Sequence, residues 1–132
     1  MAISSTFAKD IEDNESVHNF LVGNYLIIGK YYEAETTYYS KATIMTNGDG
    51  LKIIKHINKR KFSGIGKVER AIFADAPVLR MNFTKDKQPQ EQTCIFRSDL
   101  DNYARISCYV YPPRSDTNDP GLEAWFIDRS KY

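Results

Sequence analysis

From Gly23 onward the chain is a succession of short segments of strand character. None of them lengthens into a helix, and this constrains the fold more than any other feature. Eight segments are legible: Asn24–Tyr32, Thr36–Thr46, Leu51–Asn58, Ile65–Phe73, Val78–Thr84, Gln92–Arg97, Tyr103–Tyr111 and Leu122–Asp128. Turn-forming stretches separate them. Asn47-Gly48-Asp49-Gly50 is the strongest, because its residues tolerate positive φ. Phe62-Ser63-Gly64, Asp75-Ala76-Pro77, the polar loop Lys85–Gln90, the turn Ser98–Asn102 and the loop Pro112–Pro120 complete the set. Consecutive strands with short links form a meander, and eight of them can close on themselves and so remove both exposed edges. The expected fold is all-β, an eight-stranded antiparallel up-and-down β-barrel over about residues 23–129, in one domain spanning 1–132. A barrel of this size has room for side chains or for one small ligand.

A short amphipathic helix is expected ahead of the barrel, over Asp10–Leu21. Ile11, Val17, Phe20 and Leu21 form a partial stripe, acidic residues crowd the first turns, and Gly23 ends it. The aromatic content of 13%, with nine Tyr and seven Phe, suits half-buried pleated surfaces. A formal net charge of +1 gives the chain no field with which to gather nucleic acid or an anionic membrane. No apolar run approaches the ~20 residues of a membrane span. Residues 1–20 lack the basic start and apolar stretch of a secretory leader, which favours the cytoplasm unless a leader was removed. No phosphate loop, nucleophile elbow or metal-ligand spacing is present, so no cofactor or metal is expected.

Three segments, in order, resemble the signature of the lipocalins within the wider calycin group. Gly23-Asn24-Tyr25 opens the first strand after the helix. Ser98-Asp99-Leu100-Asp101-Asn102-Tyr103 links two late strands, and Glu123-Ala124-Trp125-Phe126-Ile127-Asp128-Arg129 forms the last. Asp49-Gly50, Gly66-Lys67-Val68 and Val78–Phe83 also look like their bacterial lipocalin counterparts, so the likeness covers roughly Leu21 to Arg129. Tyr25 stands where the family has Trp, and the Asp spacing before Tyr103 differs by one residue. The resemblance implies that Tyr25 plugs the barrel base with Arg129 packed across it. Intracellular fatty-acid-binding barrels insert a helix pair between the first two strands; Glu33-Ala34-Glu35 leaves no room for one.

Strand alternation sorts the wall. With Tyr25 inward, Ile27 and Gly29 follow. Leu79, Met81 and Phe83 form the apolar set of the fifth strand, Val68 brings Arg70 with it on the fourth, and Ile54 shares a face with His56 on the third. If the hairpin around Asp101 is symmetric, Thr93 pairs with Tyr109, Ile95 with Ser107 and Arg97 with Arg105, while the opposite face pairs Cys94 with Cys108 and Phe96 with Ile106. The cysteines are expected to be reduced and to pack as small apolar side chains, with a cross-strand disulfide as the alternative. Arg97 and Arg105, with Arg70, would need an anion if they faced inward. In that case Ile95, Arg97, Arg105 and Tyr109 line the ligand site, and a fatty-acid carboxylate answers the charge.

The function expected is therefore binding, sequestration or transport of a small hydrophobic ligand, such as a fatty acid, inside the barrel. Two alternatives stand beside it. One is an enzyme of the calycin type, using His56 with Tyr39 or Tyr109. The other is a filled barrel that binds partners through its loops.

Overall fold

A computed structural model describes residues 15–71, 76–85, 87–96, 104–112 and 117–129. Eight strands form a closed barrel in sequence order: β1 (Gly23–Lys30), β2 (Thr37–Asn47), β3 (Gly50–Ile57), β4 (Arg60–Ala71), β5 (Ala76–Lys85), β6 (Gln88–Phe96), β7 (Ile106–Tyr111) and β8 (Gly121–Ile127). Every neighbouring pair is antiparallel, and β1 closes on β8 through Tyr25↔Ile127, Ile27↔Trp125 and Gly29↔Glu123. The expected all-β, eight-stranded antiparallel barrel is thus the observed one.

Two hairpins turn through residues at positive φ. Gly48-Asp49 links β2 to β3, with φ of 62° at Gly48. Asn58-Lys59 links β3 to β4 with φ of 50° and 70°, the pattern of a type I′ turn. The break expected at Phe62-Ser63-Gly64 does not exist. All three lie inside β4, where Gly64 faces Phe83 across the ladder and leaves space for its ring. Most of the polar stretch Lys85–Gln90 likewise lies in strands, with Lys85 at the end of β5 opposite Gln88 at the start of β6.

The interior has two tiers. At one end Leu21, Tyr25, Ile44, Leu51, Ile53, Leu79, Met81, Ile106 and Trp125 are buried together. A short helix over residues 15–21 closes this end; residues 10–14 of the expected helix lie outside the described ones. The last carbonyls of a helix lack intrahelical partners. Here the Tyr25 hydroxyl donates to Leu21 O at 2.7 Å and the Arg105 guanidinium donates to Phe20 O at 3.2 Å. Arg105 also lies 4.4 Å over the Phe20 ring. The closing cation expected at Arg129 is therefore supplied by Arg105, while Arg129 is exposed.

The register inferred for the sixth and seventh strands is observed: Thr93↔Tyr109, Ile95↔Ser107, Cys94↔Cys108 and Phe96↔Ile106. The expected reduced cysteines are not. Cys94 and Cys108 form a disulfide whose two residues sit opposite each other on the buried face.

Candidate functional site

At the end opposite the helix the barrel opens into a cavity of about 610 Å³. Its walls are Tyr31, Tyr32, Tyr38, Ile57 and Val110, with Lys30, Gln88 and Gln90 near the rim and Lys55 and Glu123 at the floor. Strand direction explains the grouping. Lys30 and Ile57 end β1 and β3, while Tyr38, Gln88 and Glu123 stand near the starts of β2, β6 and β8, so all of them meet at one mouth.

The floor is a buried polar network. Lys55 Nζ lies 2.7 Å from Glu123 Oε2 and donates to Gln92 Oε1 at 2.5 Å. Gln92 Nε2 donates to Glu123 Oε1 at 2.8 Å, and the Trp125 indole N–H donates to the same oxygen at 3.0 Å. The Tyr38 hydroxyl donates to Glu123 Oε2. The backbone prepares this contact: Tyr38, Gly29 and Glu123 lie side by side on β2, β1 and β8. A Cβ at Gly29 would fall within 2.6 Å of the Tyr38 hydroxyl, so only a bare backbone lets the ring cross β1 to reach Glu123. Lys55 is further held 4.9 Å from the Phe83 ring centroid.

Burial by itself would push the Glu123 carboxyl up. The Lys55 ammonium beside it, helped by the donors from Tyr38 and Gln92, outweighs that and holds it below its ordinary value of 4.5. Burial, and then the neighbouring Glu123, push the Tyr38 hydroxyl up, so it keeps its proton. Burial raises Tyr25 to about 12, against the lowering influence of Arg105.

The residues expected to line a ligand site divide between two places. Tyr25, Ile27, Leu79, Met81 and Phe83 face the interior, and Val68 packs against it, but they fill the core and do not line the cavity. Ile54 and His56 do not face inward. On β3 the buried set is Leu51, Ile53 and Lys55, and His56 is exposed. Ile95 and Tyr109 are outward and about half exposed, because the disulfide face of that hairpin is the inner one. Arg70 is exposed, Arg105 serves the helix end, and Arg97 lies outside the described residues. No arginine pair therefore meets in the cavity among the described residues. Tyr39 is 73% exposed and His56 and Tyr109 also face outward, so neither the pair His56–Tyr39 nor the pair His56–Tyr109 is assembled inside the barrel.

The sequence reading missed Tyr38, Lys55, Gln92 and Glu123. One signal pointed to them: on Glu123-Ala124-Trp125, an inward Trp125 forces Glu123 inward, and a buried carboxylate demands a cation. Among the described residues no cluster of three or more His, Cys, Asp or Glu is placed to hold a metal, and no helix is long and apolar enough to cross a membrane. The chain matches no family model, no curated protein and no solved structure.

Proposed function

We propose that this protein holds a small, largely apolar molecule inside its barrel, as a carrier or sequestering protein. The observation that carries this reading is the cavity itself, about 610 Å³ of space between tyrosine and aliphatic walls above a polar floor. Small-molecule sites commonly occupy about 300–1,000 Å³, with mostly apolar linings and a few placed polar groups. The floor adds to the argument. Replacing a buried ion pair with apolar side chains is often neutral or stabilising, so a barrel needing only stability gains little from Lys55 and Glu123. The sequence likeness to lipocalins, which enclose their ligands, agrees with this reading.

Native mass spectrometry of the purified protein tests it. The wild type is expected to retain a small molecule from its host or to take up 1-decanol or 2-naphthol at one per chain. Ile57→Trp, which fills the mouth from β3, is expected to abolish uptake while the barrel stays folded by circular dichroism. A wild type that retains nothing and takes up neither compound contradicts the reading.

A further inference from the structure

Glu123 accepts four hydrogen bonds, two at Oε1 from Gln92 and Trp125 and two at Oε2 from Tyr38 and Lys55. A carboxylate offers about four lone-pair sites, so this one has none left for a ligand. Its function is exerted on its neighbours. It balances the charge of Lys55, and it claims the proton of Tyr38.

A phenol whose proton is committed presents only oxygen lone pairs to whatever lies beside it. Tyr38 is such a phenol, and it lines the cavity. Gly29 fixes its direction, since the ring lies where a Cβ would stand. Donation to a carboxylate also polarises the hydroxyl and makes its oxygen a better acceptor. From this geometry we infer that the floor selects ligands whose buried end is an uncharged hydrogen-bond donor (a hydroxyl or an N–H) and rejects carboxylates.

The rejection has two causes. A carboxylate is acceptor-only, so it meets an acceptor at Tyr38. It would also be the second anion beside an ammonium whose charge Glu123 already balances. The inference rests on the container reading above and reverses the expectation of a fatty-acid carboxylate drawn from Arg97 and Arg105.

Three probes of one shape decide it: 2-naphthol, a donor; 2-methoxynaphthalene, which can only accept; and 2-naphthoate, an anion. Calorimetric titration of the wild type is expected to rank the naphthol first, at least about fivefold tighter than the ether, the worth of one ordinary hydrogen bond. The naphthoate is expected at least about tenfold weaker than the naphthol. Tyr38→Phe should reduce naphthol affinity and leave the ether unchanged, a split that general loosening of the barrel would not give. Naphthoate binding as tightly as naphthol, equal affinities for naphthol and ether, or equal losses for both in Tyr38→Phe would each overturn donor selection and leave the container intact. Binding of none of the three overturns both.

Discussion

Lys55 and Glu123 are each almost wholly buried, and their value lies in being together. Two charges withdrawn from water are costly, and their mutual attraction and hydrogen bonds offset that only while both are present. Lys55→Met alone is expected to destabilise the fold by about 3–5 kcal/mol, because it strands Glu123. Lys55→Met with Glu123→Leu should recover much of that loss in urea unfolding; a double variant worse than the sum of the singles would refute the coupling. Glu123 also sets an acid limit. Its folded value lies below its ordinary 4.5, so its stabilisation is complete above that pH and is lost as the pH falls through the folded value. Tyr25 sets an alkaline one, being raised from 10.0 to about 12. Its contribution is complete below pH 10.0 and is lost as the pH rises towards about 12. Urea midpoints measured across pH should fall at both ends, and Tyr25→Phe should shrink the alkaline fall without changing the acid one. At this scale the sequence was only partly legible. Leu51-Lys52-Ile53-Ile54-Lys55-His56-Ile57 carries Ile at adjacent positions, so alternation fits either face, and only the pairing Ala42↔Lys55 decides that Lys55 points in.

Among the elements, the β6–β7 hairpin depends most on a covalent link. Cys94 and Cys108 are 14 residues apart, and closing a loop of that length contributes roughly 3 kcal/mol, chiefly by restricting the unfolded chain. Cys94→Ala with Cys108→Ala is expected to lower the unfolding free energy by about that amount. The barrel should persist, since β6 also pairs with β5 and β7 with β8. Equal stability of oxidised and doubly substituted protein would show that the link does nothing for the fold. The pairing of these strands was readable because a symmetric hairpin fixes the sum of opposed residue numbers, but which face turns inward was not, because Cys94 and Ile95 are both apolar enough for a core. Turns were legible where Gly marked them, as at Gly48. Asn58-Lys59 was missed because Lys rarely signals positive φ, and Gly64 misled because a glycine inside a strand mimics a break. Gly29 offers an element-level test. Gly29→Ala should drive Tyr38 off Glu123 and thereby raise the naphthoate-to-naphthol affinity ratio, and an unaltered ratio would remove the glycine from the account.

For the whole molecule, closure follows from eight antiparallel strands in meander order, and the interior it encloses is divided. The helix over residues 15–21 seals one end on Tyr25 and Trp125, and the side chains thin out towards the other, where the tyrosines surround open space. That division was not legible, since strand patterning tells which residues face in but not where their volumes fail to fill the barrel. The proposed function requires that the space above the Lys55–Glu123 floor receive a small molecule. Trp125 is the only tryptophan in the chain, and its indole N–H is bonded to Glu123, so its single amide-region indole resonance reports directly on that floor. Titration of isotope-labelled protein with 2-naphthol should move this resonance saturably to a one-to-one end point, together with the backbone signals of Tyr38 and Ile57. A resonance that stays fixed while ligand accumulates elsewhere, or not at all, would contradict the claim.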